Sequence, residues 1–131
     1  MNRRLLLAFI VLFGMAFLSS CEVTSDDNLD DIEKYYGTWN VNDQASKLNY
    51  VVIISANPSN SAEILMNNFA DLNSSAVGLV VGNSVVIDNQ SLGSDYSVNG
   101  SGSYINSGKL EFNFSLDDGI DIESRTAIFT K

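Results

Sequence analysis

From Thr38 to the end of the chain, apolar side chains recur at every second position in one short run after another, and a 3.6-residue period does not return. A period of two puts alternate residues on opposite faces of the backbone, so each run reads as a strand with one buried and one wetted face. The runs are Thr38–Asn42, Leu48–Ser55, Ala62–Asn68, Ala76–Val81, Ser84–Asn89, Asp95–Ile105, Lys109–Ser115 and Ile120–Thr130. The clearest is Lys109–Ser115, where Leu110, Phe112 and Phe114 alternate with Lys109, Glu111 and Asn113. Turn sequences lie between runs: Asn57-Pro58-Ser59-Asn60, Gly82-Asn83, Asn106-Ser107-Gly108 and Asp117-Asp118-Gly119.

None of these connections holds a helix of crossover length, so the strands are expected to pair antiparallel in chain order. Such a meander either leaves two open edges or closes on itself, and closure removes the edges. Gly78, Gly100 and Gly102 lie inside strand runs, where glycine suits a sheet that must bend sharply. The expected fold is therefore all-β: a small eight-strand antiparallel meander barrel, preferred to a two-sheet sandwich. One short helix precedes it over Leu29–Tyr36, with Leu29, Ile32 and Tyr36 on one face, acids early, Lys34 late and Gly37 at the left-handed C-terminal position.

The beginning of the chain has a different character. Arg3 and Arg4 precede an apolar run from Leu5 to Leu18. That run is short of the roughly 20 residues a membrane span needs and has the order of an export signal. Leu18-Ser19-Ser20-Cys21 follows, and it resembles the lipobox of bacterial lipoproteins: an aliphatic residue, two small ones, then cysteine. The resemblance implies cleavage before Cys21, a thioether-linked diacylglycerol on its sulfur and acylation of the new amino group. The bland alternatives are an ordinary secretory signal with an incidental thiol and an uncleaved anchor helix. Cys21 is the only cysteine, so no internal disulfide is available to it, and a lone thiol in an oxidising compartment would be a liability that acylation removes. Two or three acyl chains hold a protein on a bilayer where a single one binds marginally.

Residues 1–20 thus read as signal peptide, 21–28 as a lipid-anchored acidic linker and 29–131 as the barrel domain. The whole chain has formal net charge −9. Without residues 1–20, which carry two arginines and no acid, the seven bases become five against the same 16 acids, net −11. Ser25-Asp26-Asp27 is similar to the acidic export tag that follows the acylated cysteine in surface lipoproteins of some Gram-negative bacteria. It implies an outer-membrane protein exposed on the cell surface, the periplasmic face being the alternative.

Tyr36-Gly37-Thr38-Trp39, a short helix entering a first strand through Gly-x-Trp, resembles the opening of the calycin barrels, the group of lipocalins, fatty-acid-binding proteins and avidins. The resemblance implies that Gly37 permits a tight entry and that Trp39 packs across the closed end. It also implies a basic side chain from the last strand near that tryptophan, and Arg125, the only base within the last strand, takes the part. Gly37, Trp39 and Arg125 would then be barrel-closing and structural.

Chemistry is constrained mainly by what the composition lacks. There is no histidine for an imidazole base or a zinc site, and no Ser-x-x-Lys or Gly-x-x-x-x-Gly-Lys pattern occurs. The acidic balance disfavours nucleic acid. Asp117, Asp118 and Asp121 are the one candidate calcium cluster, but the spacing is not that of an EF-hand and a hairpin turn explains it as well. The expectation is a monomeric, non-enzymatic domain with no cofactor and no bound metal. An eight-strand barrel is either filled by its own side chains or holds one small ligand. The candidate lining for a small apolar ligand is Tyr50, Val52, Ile64, Met66, Val98, Tyr104, Leu110, Phe112 and Phe114, with Trp39, Val41, Ile120 and Ile122 on the same expected faces. The alternative to a ligand carrier or structural core is a surface module that binds a protein or glycan through loops or outer face.

Overall fold

The computed structural model describes residues 32–45 and 47–131. The expected signal peptide, Cys21 and the expected acidic linker lie outside the described residues. So does the first part of the expected helix; Ile32 and Glu33 are helical, and the Tyr35 and Tyr36 amides donate to the Ile32 and Glu33 carbonyls at 3.2 and 3.1 Å.

Eight strands follow: β1 (Gly37–Asp43), β2 (Leu48–Ala56), β3 (Glu63–Asn67), β4 (Ser75–Val81), β5 (Ser84–Leu92), β6 (Tyr96–Asn106), β7 (Lys109–Asp117) and β8 (Ile122–Thr130). Each pairs antiparallel with the next in chain order, and β1 pairs with β8 to close the barrel. Connections therefore alternate between two ends. The chain enters at the Gly37 end, which also carries the β2–β3, β4–β5 and β6–β7 turns; the Asp43 end carries the other four. Gly82, with φ +60, takes the left-handed first position of the β4–β5 turn.

Alternation translates directly into burial. Trp39, Val41 and Asp43 of β1, Tyr50, Val52 and Ile54 of β2, and Ile64 and Met66 of β3 are buried, while the residues between them are exposed or half-buried. On β7 the inward set is Leu110, Phe112, Phe114 and Leu116. The β8 phase is set by Ala127 and Phe129, both fully buried.

One seam is short. β4 and β5 share only the pairs Leu79–Val86, Val80–Val85 and Val81–Ser84, because β5 shifts register between Ile87 and Gln90. The Gln90 carboxamide closes part of the gap as a peptide group would: its Oε1 accepts from the Val77 amide at 2.8 Å and its Nε2 donates to the Val77 carbonyl at 2.9 Å. A half-buried strand keeps its backbone partners that way.

Gly100, expected to serve bending, pairs with Phe114 and faces the β7 backbone closely. A Cβ there would lie 2.3 Å from the Asn113 carbonyl oxygen and 2.6 Å from the Phe114 Cα, both backbone atoms that cannot yield. Gly100→Ala is therefore expected to cost at least about 2 kcal/mol in urea denaturation, as overpacking against a fixed wall does, while Ser101→Ala on the exposed face stays within about 0.5 kcal/mol. Equal stability of the two variants would contradict this close approach.

Candidate functional site

The barrel interior is the first place to look. Tyr50, Val52, Ile64, Met66, Val98, Leu110, Phe112 and Phe114 all point inward and are buried. An interior chamber would leave its lining side chains against open space; Val52, Ile64, Met66, Val98, Leu110 and Phe112 are 0% exposed and touch none. Tyr104 is only half-buried, at the Gly37 end, where its ring meets Tyr35 edge-on at 5.7 Å and the Lys34 ammonium lies 4.7 Å from its centre.

Ile120 and Ile122 do not belong to the lining. They are 89% and 71% exposed, and the inward phase of β8 falls on Arg125, Ala127 and Phe129 instead. Glu123 shares this inward phase, and at the rim of the barrel it is still exposed.

Each end has its own closure. At the Gly37 end Trp39 is fully buried, and its Nε1 donates to the Tyr35 carbonyl at 2.9 Å. The cation beside it is Lys131, whose Nζ stands 4.3 Å from the ring centre and donates to the Tyr36 carbonyl at 2.7 Å. Arg125 does not take that part, because the register pairing Asn40 with Thr130 puts Lys131 level with Trp39 and leaves Arg125 about 20 Å farther along the strand. Gly37 has φ +127, and a Cβ there would come within 2.9 Å of the Lys131 Nζ.

At the Asp43 end the β3–β4 connection folds inward as a short 3-10 helix, Phe69–Asp71. Phe69 is buried against Phe114 and Phe112, with ring centres 4.8 and 5.9 Å apart, and Phe112 in turn meets Phe129 at 4.7 Å. Asn68, Ala70, Asp71 and Asn73 all adopt positive φ to bring it there. The Asn68 carboxamide steadies the loop, donating to the Val51 carbonyl and accepting from the Asn73 amide, both at 2.9 Å.

Beside this plug lies the one buried charged residue among the described residues. Asp43, 0% exposed, accepts from Arg125 Nη1 at 3.3 Å and from the Tyr50 hydroxyl at 3.5 Å. Arg125 Nη2 reaches Glu123 at the rim, also 3.3 Å away, and its Nε is buried without a hydrogen-bond partner. Burial is the main reason the Tyr50 hydroxyl ionises well above the ordinary tyrosine range; the Asp43 carboxylate adds to the shift and Arg125 opposes it. Tyr50 stays a proton donor to Asp43, and the group works as a polar clamp between β1, β2 and β8. Asp43 was legible in principle: one more step of the Trp39, Val41 alternation reaches it.

The acidic turn has a conformational explanation. Asp117 Oδ1 accepts from the Gly119 amide at 2.8 Å, and Asp118 Oδ1 accepts from the Ile120 and Asp121 amides at 2.8 and 2.7 Å. Among the described residues no three of His, Cys, Asp and Glu converge as metal ligands would. Among the described residues the outer wall has shallow depressions, one of about 280 Å³ among Asn99, Asn113, Ser115 and Thr126 and another of about 430 Å³ among Asn40, Asn42, Asn49 and Val51. Comparison of the chain with protein-family models, with curated proteins and with solved structures finds no match.

Two expectations follow. Asp43→Ala strands the Arg125 guanidinium in a mostly buried site and should cost about 3 kcal/mol in urea denaturation, with partial recovery in Asp43→Ala, Arg125→Met; a single variant as stable as wild type would contradict the clamp. The second concerns Asp118, whose carboxyl is held below the ordinary aspartate range by the amides of Asp121 and Ile120. A depressed folded value contributes stability above the unfolded value that is lost as pH falls through the folded one. The Asp118 carboxyl resonance should therefore titrate below the ordinary aspartate range, and Asp118→Asn, which keeps the acceptor oxygen, should flatten the acid limb of the stability curve.

Proposed function

We propose that this chain is a cell-envelope lipoprotein, held on the outer membrane by acyl chains on Cys21, whose barrel is a non-catalytic module that meets its partner on the outside. The observation that carries the second half is the packed interior: Val52, Ile64, Met66, Val98, Leu110 and Phe112 occupy with zero exposure the space a small apolar ligand would need. Plugs at both ends, Trp39 with Tyr35 and Phe69 with Phe112, support the same reading. Between the carrier and the surface module, the surface module is favoured.

The first half rests on the sequence. A basic start, an apolar run too short to span, Leu18-Ser19-Ser20-Cys21 and a following acidic stretch form one consistent export and anchoring signal. The loops of the Asp43 end suit contact with a protein or glycan, since Ile120 and Ile122 project from them as exposed aliphatics among carboxylates.

Mass spectrometry of the protein purified from its own membrane tests both halves. The expected species begins at Cys21, carries two or three acyl chains and retains no small molecule in stoichiometric amount. A mature chain beginning elsewhere would overturn the anchoring, and a tightly retained apolar compound would overturn the surface reading.

A further inference from the structure

The barrel has two electrically different ends. At the Gly37 end Lys34, Lys109 and Lys131 balance Glu33, Glu63 and Glu111. The Asp43 end carries Asp71, Asp95, Asp117, Asp118, Asp121 and Glu123, besides the buried Asp43, against only Lys47 and Arg125. Asp88 lies midway along β5. Among the described residues, nearly all the excess acid is therefore collected away from the Gly37 end.

Exposed aliphatic side chains stand at both ends, with Leu48, Ile120 and Ile122 at the Asp43 end. Val81, 59% exposed, and Ile105, 50% exposed, flank the Gly82-Asn83 turn at the Gly37 end; the Tyr104 amide there donates to the Asn83 carbonyl at 2.8 Å. Ile53, 48% exposed, stands opposite Thr38 near the same end. Down the adjoining wall Leu79 pairs with Val86 and Leu65 with Val77, which sets half-buried and exposed aliphatics side by side on the outward face of β3, β4 and β5, between polar Glu63, Asn67, Ser75 and Ser84. The opposite wall differs: Asn99, Ser101, Asn113, Ser115, Ser124 and Thr126 give β6 to β8 an outward face of neutral polar groups.

Contiguous exposed apolar surface marks a contact surface, and the tether indicates the contact. Residues 22–31 separate Cys21 from Ile32 and reach at most about 35 Å fully extended, so an anchored barrel stays near the lipid. Ile32–Tyr36 pack at the Gly37 end, so the tether arrives there. Ile120 and Ile122 are also exposed, but Asp118, Asp121 and Glu123 surround them, and seating that end on lipid would desolvate carboxylates.

We propose that the barrel rests on the bilayer by its Gly37 end and the adjoining β2–β5 wall. Val81, Ile105 and Ile53 lie at the boundary of headgroups and acyl chains, exposed Lys109 faces headgroup phosphates, and the acidic Asp43 end points away. The inference depends on acylation of Cys21 and adds an orientation to it. Repulsion of the acidic end by anionic lipid would reinforce that orientation.

The test uses the full mature lipoprotein in phosphatidylcholine vesicles containing brominated chains, at less than one copy per vesicle, with Val81→Trp compared with Ile120→Trp. Both positions are exposed, and buried Trp39 contributes a constant background. The expected result is a blue-shifted Val81→Trp emission quenched several-fold more than that of Ile120→Trp, which stays water-like. Equal quenching at both positions, or deeper quenching at Ile120→Trp, overturns the proposal. So does a blue shift at Val81→Trp that rises with protein density, because a second copy would then cover the wall. If the mass of the protein shows no acyl chain, the anchoring reading fails by itself; the chain is then coupled to a maleimide lipid through the Cys21 thiol, and the same comparison still decides the orientation.

Discussion

Four residue pairs between β1 and β8, from Asn40 with Thr130 to Asp43 with Ala127, turn a sheet into a ring, and most of the remaining structure follows from that closure. A closed ring of eight short strands has one inner volume of limited width, and the inward half of every strand must fill it. Here large and small residues share it: Phe112, Phe129 and Met66 occupy space left beside Gly102, Ala76 and Ala127. Gly102 illustrates the fit, since a Cβ there would stand 2.3 Å from the Phe112 ring. Closure also satisfies the backbone of both terminal strands, which would otherwise present open edges.

The ends of the ring need separate solutions, because strand alternation says nothing about caps. The Gly37 end is covered by the residues that lead into β1, with Tyr35 and Trp39 buried and Lys131 lying over the indole. The Asp43 end is covered by Phe69, held by a loop rich in left-handed backbone, and by the Asp43–Arg125–Tyr50 clamp. Left-handed conformations at Ala70 and Asp71 each cost on the order of 1 kcal/mol, so burial of Phe69 must outweigh that strain. The polar clamp is buried just inside the rim, where only its Glu123 arm is wet, so the Asp43 carboxylate and the Arg125 guanidinium depend on each other in place of lost hydration.

Strand number, order and pairing were all legible in the sequence, because each depends on a period of two and on short turns. Positions ruled by neighbours across the barrel were not. The Ile120-Asp121-Ile122-Glu123 stretch alternates as an amphipathic strand should, yet its phase is inverted; Ala127 and Phe129 control the core side of β8, and near the rim Glu123 and Arg125 pair in place of apolar contact. Arg125 in place of Lys131 beside Trp39 was an error of axial level, which only the β1–β8 register resolves. Phe69 lay at the edge of a run that reads as strand followed by loop, and no local pattern marks a loop residue as a plug. Gln90 mending the β4–β5 seam was likewise invisible, since the shift that creates the gap is a property of the ladder. Of the candidate lining, the interior positions were readable as inward; whether inward meant core or ligand chamber depended on packing.

Taken together, these features describe a solid barrel with dissimilar faces. Its inner surface is committed to its own stability, and aliphatic, neutral-polar and acidic residues are unevenly distributed over the outer wall and loops. The central claim is that the interior is full. A titration with xenon or a small apolar solute, followed through the methyl resonances of Val52, Ile64, Val98 and Leu110, tests it most directly. The account predicts no saturable shift at any of these methyls in the native protein; saturable, concerted shifts at all of them would show an occupied chamber and contradict it.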